Sequence, residues 1–259
     1  MSRKKNIWKY LLIGSSILII YIWAFNGLDF SNLKDNTGSM LVTMLKEMLH
    51  PDWNYVWTGD GEDLISLMIQ TVAIAFLGTI ISSILSIPFA FIAAKTKNNP
   101  FFISKIGKMI LTIIRTFPEI VLAILFIKVV GTGAFAGVLA VGIHSIGMLG
   151  KLYCEAIENL DNGPAEAIES VGGNNFNQLC YATLPQLIPE FLSYTLYRFE
   201  ISVRSASILG LVGAGGIGAP LIFAISCRSW DRVSIILLGI IVTVTLIDFI
   251  SGKIRSKLS

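Results

Sequence analysis

Apolar residues in this chain gather into six runs, at 10–25, 64–94, 121–130, 138–150, 188–211 and 234–250, separated by polar stretches that carry most of the charge. A helix of about 20 apolar residues crosses a bilayer, so the pattern predicts an all-α integral membrane protein with about six transmembrane helices. The organisation that follows is a transmembrane helix in 1–26, an extracytoplasmic segment at 27–63, a core of spans over 64–252 and a cytoplasmic tail at 253–259. Arg3, Lys4, Lys5 and Lys9 precede the first run as they would in a signal peptide. That run is long for a signal core, and Asn-Gly-Leu-Asp follows it rather than a small-x-small cleavage site, so a retained helix is expected.

Between the fourth and fifth runs, residues 151–185 hold five acids (Glu155, Glu158, Asp161, Glu166, Glu169) against Lys151 alone, which excludes burial in lipid. Pro164 suits the first turn of a helix and Gly172 its end. After the Gly172-Gly173 corner, Asn174 is a cap for a second short helix that carries Phe176, Leu179 and Cys180 on one face and ends before Pro185. Two short helices at a glycine corner, in a loop spanning 155–185, make a compact protrusion able to enter a groove on a partner. The same pattern also describes an ordinary helical connection.

Composition agrees with the pattern. Hydrophobic residues make up 54% of the 259 and charged residues 14%, and the mean hydropathy is +0.71, outside the range of soluble domains. The pI near 8.7 arises from Lys and Arg beside apolar runs, not from a basic face with interleaved aromatics, so nucleic acid is not expected as a partner. Cys154, Cys180 and Cys227 are odd in number and far apart, which gives neither a disulfide framework nor a metal-ligand spacing. With six spans, one side of the membrane holds Arg3, Lys4, Lys5, Lys9, Lys95, Lys97, Lys105, Lys108, Lys151, Lys253, Arg255 and Lys257. The other holds Lys34, Lys46, Arg228 and Arg232. The excess of basic residues marks the cytoplasmic side, so both termini are expected inside. Trp53, Tyr55 and Trp57 in the outer segment suit the membrane interface.

Charges within spans are costly and point to function. Arg115, Glu119, Lys128, His144, Arg198, Glu200 and Arg204 are the instances. Glu200 and Arg204, and Arg115 and Glu119 across Pro118, each lie four apart and are expected to pair within their own helix. Arg198 has no such neighbour, and entry of its helix near Ile188 sets it roughly 15 Å deep. It is expected either to face a water-filled cavity at a dimer interface or to bond backbone carbonyls. Lys128 is expected to snorkel outward and His144 to be a packing residue. Pro118 and the glycines Gly213, Gly215 and Gly216 break apolar segments and are candidate gate elements, with plain kinks as the alternative.

The spacing Glu166-Ala167-Ile168, three residues, Gly172, nine residues, Ala182-Thr183-Leu184-Pro185 resembles the EAA loop of bacterial ABC-importer permeases, with Ile168 and Ala182 as apolar departures. Arg115-Thr116-Phe117-Pro118-Glu119, the segments at 133–139 and 144–151, Leu196-Tyr197-Arg198-Phe199-Glu200 and the glycine segment at 210–218 are similar to phosphonate-type permeases; the last is also similar to methionine permeases. The resemblance implies a type I ABC importer permease fold with a cytoplasmic coupling helix between the fourth and fifth spans. It further implies that Pro164, Glu166, Ala167, Gly172, Gly173, Leu184 and Pro185 couple to an ATPase. Arg115, Pro118, Glu119, Arg198, Glu200, Arg204, Gly213, Gly215 and Gly216 are candidates for the translocation pathway. The implied assembly is a homodimer, or a pair with a paralogous permease, holding two ATPase subunits and an extracytoplasmic solute-binding protein in a bacterial cytoplasmic membrane. No nucleotide-binding loop, nucleophile or metal constellation is present, so the chain is not expected to be an enzyme. ATP and Mg would act in the ATPase, with no cofactor on this chain. The implied cargo is phosphonate or a related phosphorus oxyanion; methionine, sulfonate or phosphate import, and an ion-coupled secondary transporter, are the alternatives.

Overall fold

The structure is a computed structural model and describes residues 2–27, 37–96 and 100–258, with side chains at 8–27, 38–96 and 100–258. It divides into two compact units, Met1–Lys46 and Glu47–Ser259. The first unit carries α1 (Ser2–Asn26) and most of α2 (Thr37–Met48). From Trp8 onward α1 exposes apolar side chains on every face, which suits a helix solvated by lipid tails rather than water. The segment at 27–63, expected on the outer side, contains α2 and a 3₁₀ turn at Trp53–Val56. Residues 28–36, with Lys34, and residues 97–99, with Lys97, lie outside the described residues.

The second unit is built from α3 (Leu64–Ala93), α4 (Phe101–Thr116), α5 (Glu119–Val130), α6 (Ala134–Glu158), α7 (Gly163–Ser170), α8 (Asn175–Gln178), α9 (Leu184–Leu209), α10 (Gly218–Ser226) and α11 (Trp230–Leu258). Helix α6 lies at the centre and packs on α3, α4, α5 and α9, while α11 packs along α9. Lipid supplies little hydrophobic drive for helices to associate, so close backbone approach at small residues becomes decisive. Gly78 of α3 meets Val141 and Gly142 of α6, Gly107 of α4 meets Ala93, and Gly147 and Gly150 of α6 meet Leu111 and Arg115 of α4. Short polar ties sit among these crossings. Thr79 Oγ1 donates to Ser202 Oγ at 3.0 Å, Ser104 Oγ donates to the Ala93 carbonyl at 2.6 Å, and the Tyr153 hydroxyl meets Thr195 Oγ1 at 2.6 Å while its ring stacks on Phe191.

Among the described residues four helices are long and apolar enough to cross a membrane, in Trp8–Asn26, Leu64–Ala93, Ala134–Glu158 and Trp230–Leu258. A fifth crossing arises if α4 and α5, bent by 79° at Phe117 and Pro118, count together. The run at 121–130 is therefore half of a broken pair: at 1.5 Å per residue α5 is about 18 Å long, short of a bilayer core of about 30 Å. Helix α9 has the length but carries Glu190, Arg198, Glu200 and Arg204, so its apolar content alone does not mark it as a span.

A Cβ on Gly147 would lie 2.7 Å from the Arg115 backbone nitrogen, forcing α4 and α6 apart. Gly147→Ala is expected to lower the Tm of the detergent-purified protein, with the ~1–3 kcal/mol cost of overpacking, even though alanine is the better helix former by about 1 kcal/mol. Gly14→Ala, where the added methyl meets nothing within 4 Å, should leave Tm level or raise it.

Candidate functional site

The polar segment between α6 and α9 forms the expected hairpin. Helix α7 has Pro164 in its first turn and closes in a Schellman motif: Gly173 N donates to the Ile168 carbonyl at 2.9 Å and Gly172 N to that of Glu169 at 3.0 Å. Gly172 has φ +83°, a left-handed conformation that costs a residue with a Cβ roughly 1–2 kcal/mol. Asn174 Oδ1 then accepts from Asn177 N at 2.9 Å and caps α8. Here the structure corrects one expectation. The second helix does not stop before Pro185; α8 runs through a π-helical stretch, Leu179–Thr183, directly into α9. Proline lacks an N–H and crowds the carbonyl four residues back, and the wide π turn relieves both constraints. Leu184 and Pro185 therefore continue the helix rather than end it. Glu166 and Ala167 are exposed on α7, and the hairpin also presents Val171, Phe176 and Tyr181, 84%, 68% and 75% exposed.

The charges inside the bundle pair between helices, not along them. Arg255 Nη2 donates to Glu200 Oε1 at 3.0 Å and Arg204 Nη2 to Asp248 Oδ2 at 2.8 Å. The expected Glu200–Arg204 pair is therefore absent: α11 runs antiparallel beside α9 and offers each residue a partner of opposite sign. Asp248 is a site residue that the sequence reading misses, its signal being a lone acid in the last apolar run, and Arg255 reads there as part of the basic tail. The Arg115–Glu119 pair also fails. The two residues sit on separate helices across the 79° bend, and the four-residue spacing brings side chains together only along a continuous helix.

Glu119 instead turns to Arg198, with Oε2 3.6 Å from Nη2. Arg198 is 2% exposed. Its Nε donates to Ser145 Oγ at 2.7 Å and its Nη1 lies 3.4 Å from Met148 Sδ. Of the two expectations for Arg198, the bond to backbone carbonyls is not made: α6 supplies side-chain partners and the Glu119 carboxylate lies over the remaining edge. His144, expected as a packing residue, contacts the Phe117 carbonyl through Nδ1 at 3.1 Å, bracing the break at Pro118. Arg115 and Lys128 are exposed at the ends of α4 and α5.

The glycine segment after α9 is a fastened turn. Gly213, Gly215 and Gly216 have φ of +92°, +83° and +80°. Gly216 N donates to Gln70 Oε1 at 3.1 Å, Ile217 N to Thr71 Oγ1 at 2.9 Å, and Gly133 N to the Gly213 carbonyl at 3.0 Å. The broken backbone thus finds its hydrogen-bond partners inside the protein, the condition for irregular structure at membrane depth.

The family described as the binding-protein-dependent transport system inner membrane component matches residues 86–259. The chain is 35% identical over 239 residues to the phosphite transport system permease protein PtxC of Stutzerimonas stutzeri, covering 92% of this chain and 85% of that protein. It is 34% identical over 239 residues to the phosphate-import permease protein PhnE of Mycolicibacterium smegmatis, covering 92% of this chain and 43% of that protein. A chain of the inward-facing MetNI methionine ABC transporter superposes with a TM-score of 0.66 at 19% identity, over 76% of this chain and 96% of that one, a likeness of fold alone. The helical architecture and the family match over most of the sequence lead to one assignment: the chain belongs to the inner membrane components of binding-protein-dependent transport systems and has the type I ABC permease fold.

Proposed function

We propose that this chain is the permease subunit of an ATP-driven importer of phosphorus oxyanions, with the hairpin of α7 and α8 as its coupling element. The observation that carries the cargo class is the likeness, over 92% of the chain, to permeases named for phosphite and for phosphate. In this reading α1, α3, the broken α4 and α5, α6, α9 and α11 make six crossings with both termini in the cytoplasm. Contacts at the two ends of the second unit agree with that path. Near one end Glu158 accepts from Lys95 N at 2.7 Å and pairs with Lys108 at 2.6 Å, both on the basic side. Near the other Asp52 N donates to the Asp231 carbonyl and Ser234 Oγ to that of Met48, joining two segments read as outward.

Six crossings are few for an enclosed route, so two permeases, identical or paralogous, pair around it. Each hairpin docks on one of two ATPase subunits, and a solute-binding protein delivers cargo outside. Exposed Val171 and Phe176 on a polar hairpin are apolar area for a partner to cover, and Glu166 in the first turn of α7 offers a charge at its rim. Closure of the ATPase pair on ATP would move the hairpins together. The continuous helix through Leu184 and Pro185 would carry that motion into α9, where Arg198, Glu200 and Arg204 sit.

In proteoliposomes holding the permease with its ATPase, phosphite or methylphosphonate uptake is expected to require ATP and the binding protein. Uptake driven by an ion gradient without ATP would assign the chain to the secondary transporters, and uptake of methionine or a sulfonate alone would change the cargo. Val171→Asp and Phe176→Asp are expected to reduce co-purification of the ATPase at least tenfold with Tm unchanged, because both side chains are exposed. Gly172→Ala should weaken ATP-coupled uptake without unfolding the membrane helices, its strain being confined to the hairpin corner.

A further inference from the structure

The break between α4 and α5 places two complementary features together. Helix α5 begins at Glu119 after Pro118, which has no side chain to cap it, and its first end-on bond is Leu122 N to the Pro118 carbonyl. The N–H groups of residues 119–121 therefore precede the intrahelical ladder and make the start of this 12-residue helix attractive to anions. Facing that start is Arg198, whose Nη2 is buried and has no hydrogen-bond partner. The Glu119 carboxylate fills the gap poorly: Oε2 stands 3.6 Å from Nη2, beyond hydrogen-bonding length, and Oε1 is buried without a partner. Two ionic groups out of water, each with an atom unsatisfied, form an arrangement that a better-shaped anion would improve.

We propose that the start of α5 and the Arg198 guanidinium form an oxyanion station on the transport route, and that the Glu119 carboxylate occupies it when no cargo is present. The proposal rests on the importer reading above. A carboxylate and a phosphorus oxyanion both offer two oxygens to one guanidinium edge. The tetrahedral anion has a third oxygen, free to meet the N–H groups of Ile120 and Val121, which Glu119, tethered to the same turn, does not satisfy. The Glu119 side chain is 13% exposed and that of Arg198 2%, so Glu119 is the outer of the two residues and must swing aside to admit cargo. Exposed Arg115 and Thr116 at the end of α4 flank that approach. Return of the carboxylate then expels the anion, which keeps occupancy brief, as a conducting site requires.

The test uses the permease–ATPase complex without binding protein, and equilibrium binding of radiolabelled inorganic phosphite. Wild type should bind weakly. Glu119→Gln, which keeps the shape and removes the competing charge, should tighten binding by about tenfold or more, and Glu119→Gln with Arg198→Gln should lose it. If the pair is only structural, the doubly neutral variant binds and transports like wild type, and unchanged affinity in Glu119→Gln overturns the station likewise. Should either variant fail to assemble, hydrogen exchange on the wild-type complex during ATP turnover decides. Phosphite should slow the amides of residues 120 and 121, and no change there overturns the station. Normal ATP-dependent phosphite uptake with these negative results rejects the station alone. Absence of that uptake from the wild-type complex with its binding protein rejects the importer reading, and the station with it.

Discussion

A guanidinium removed from water has to be met by groups that the fold supplies, and the arrangement around Arg198 follows from that requirement. An isolated buried charge costs several kcal/mol or more. Ser145 and Met148 on α6 and Glu119 on α5 are the groups that meet it. To bring Glu119 there the chain breaks at Phe117 and Pro118, and the break turns what would be one straight crossing into two short helices. His144 then supports the opened backbone at the Phe117 carbonyl. The bend, the buried ion pair and the position of α6 are three aspects of one solution to a single electrostatic constraint.

The rest of the bundle is organised so that this charge can be reached from several helices at once. Glycines on α3, α4 and α6 let their backbones meet at Gly78, Gly107, Gly147 and Gly150, leaving the central helix close enough to hold Arg198 with a serine hydroxyl. On the far side of α9, Glu200 and Arg204 reach across to Arg255 and Asp248, so α9 is tied by ions on two faces. Arg198, Glu200 and Arg204 of α9 each have a counterpart of opposite sign on a neighbouring helix, the condition for charge at membrane depth.

Much of this was legible in the sequence, and the failures are specific. The apolar runs located α1, α3, α6 and α11, because lipid demands a length of apolar helix that composition alone reveals. Pro164, Gly172 and Asn174 located the hairpin, since capping and left-handed turns depend on local residue chemistry. Pairing of the charges was misread because spacing along one helix says nothing about which face a neighbouring helix covers. Asp248 and Arg255 could be matched with Arg204 and Glu200 only once α9 and α11 were known to lie antiparallel. The continuation through Pro185 was hidden for a related reason: a proline reads as a stop unless a π turn absorbs its missing N–H, and no residue in Leu179–Thr183 signals that by itself.

That π turn sets the angular relation between the hairpin and the membrane charges. An α-helix advances about 100° with each residue, and a π turn contains one residue more than the α-helical path across the same gap. Loss of a single residue from Leu179–Thr183 would restore ordinary winding in the same phase, but rewinding all five residues as α-helix would turn α8 by about 100° against α9. A hairpin seated on its partner would then present Arg198, Glu200 and Arg204 to the wrong neighbours. The five residues thus act as a timing gear, fixing the phase between the hairpin and the buried ions.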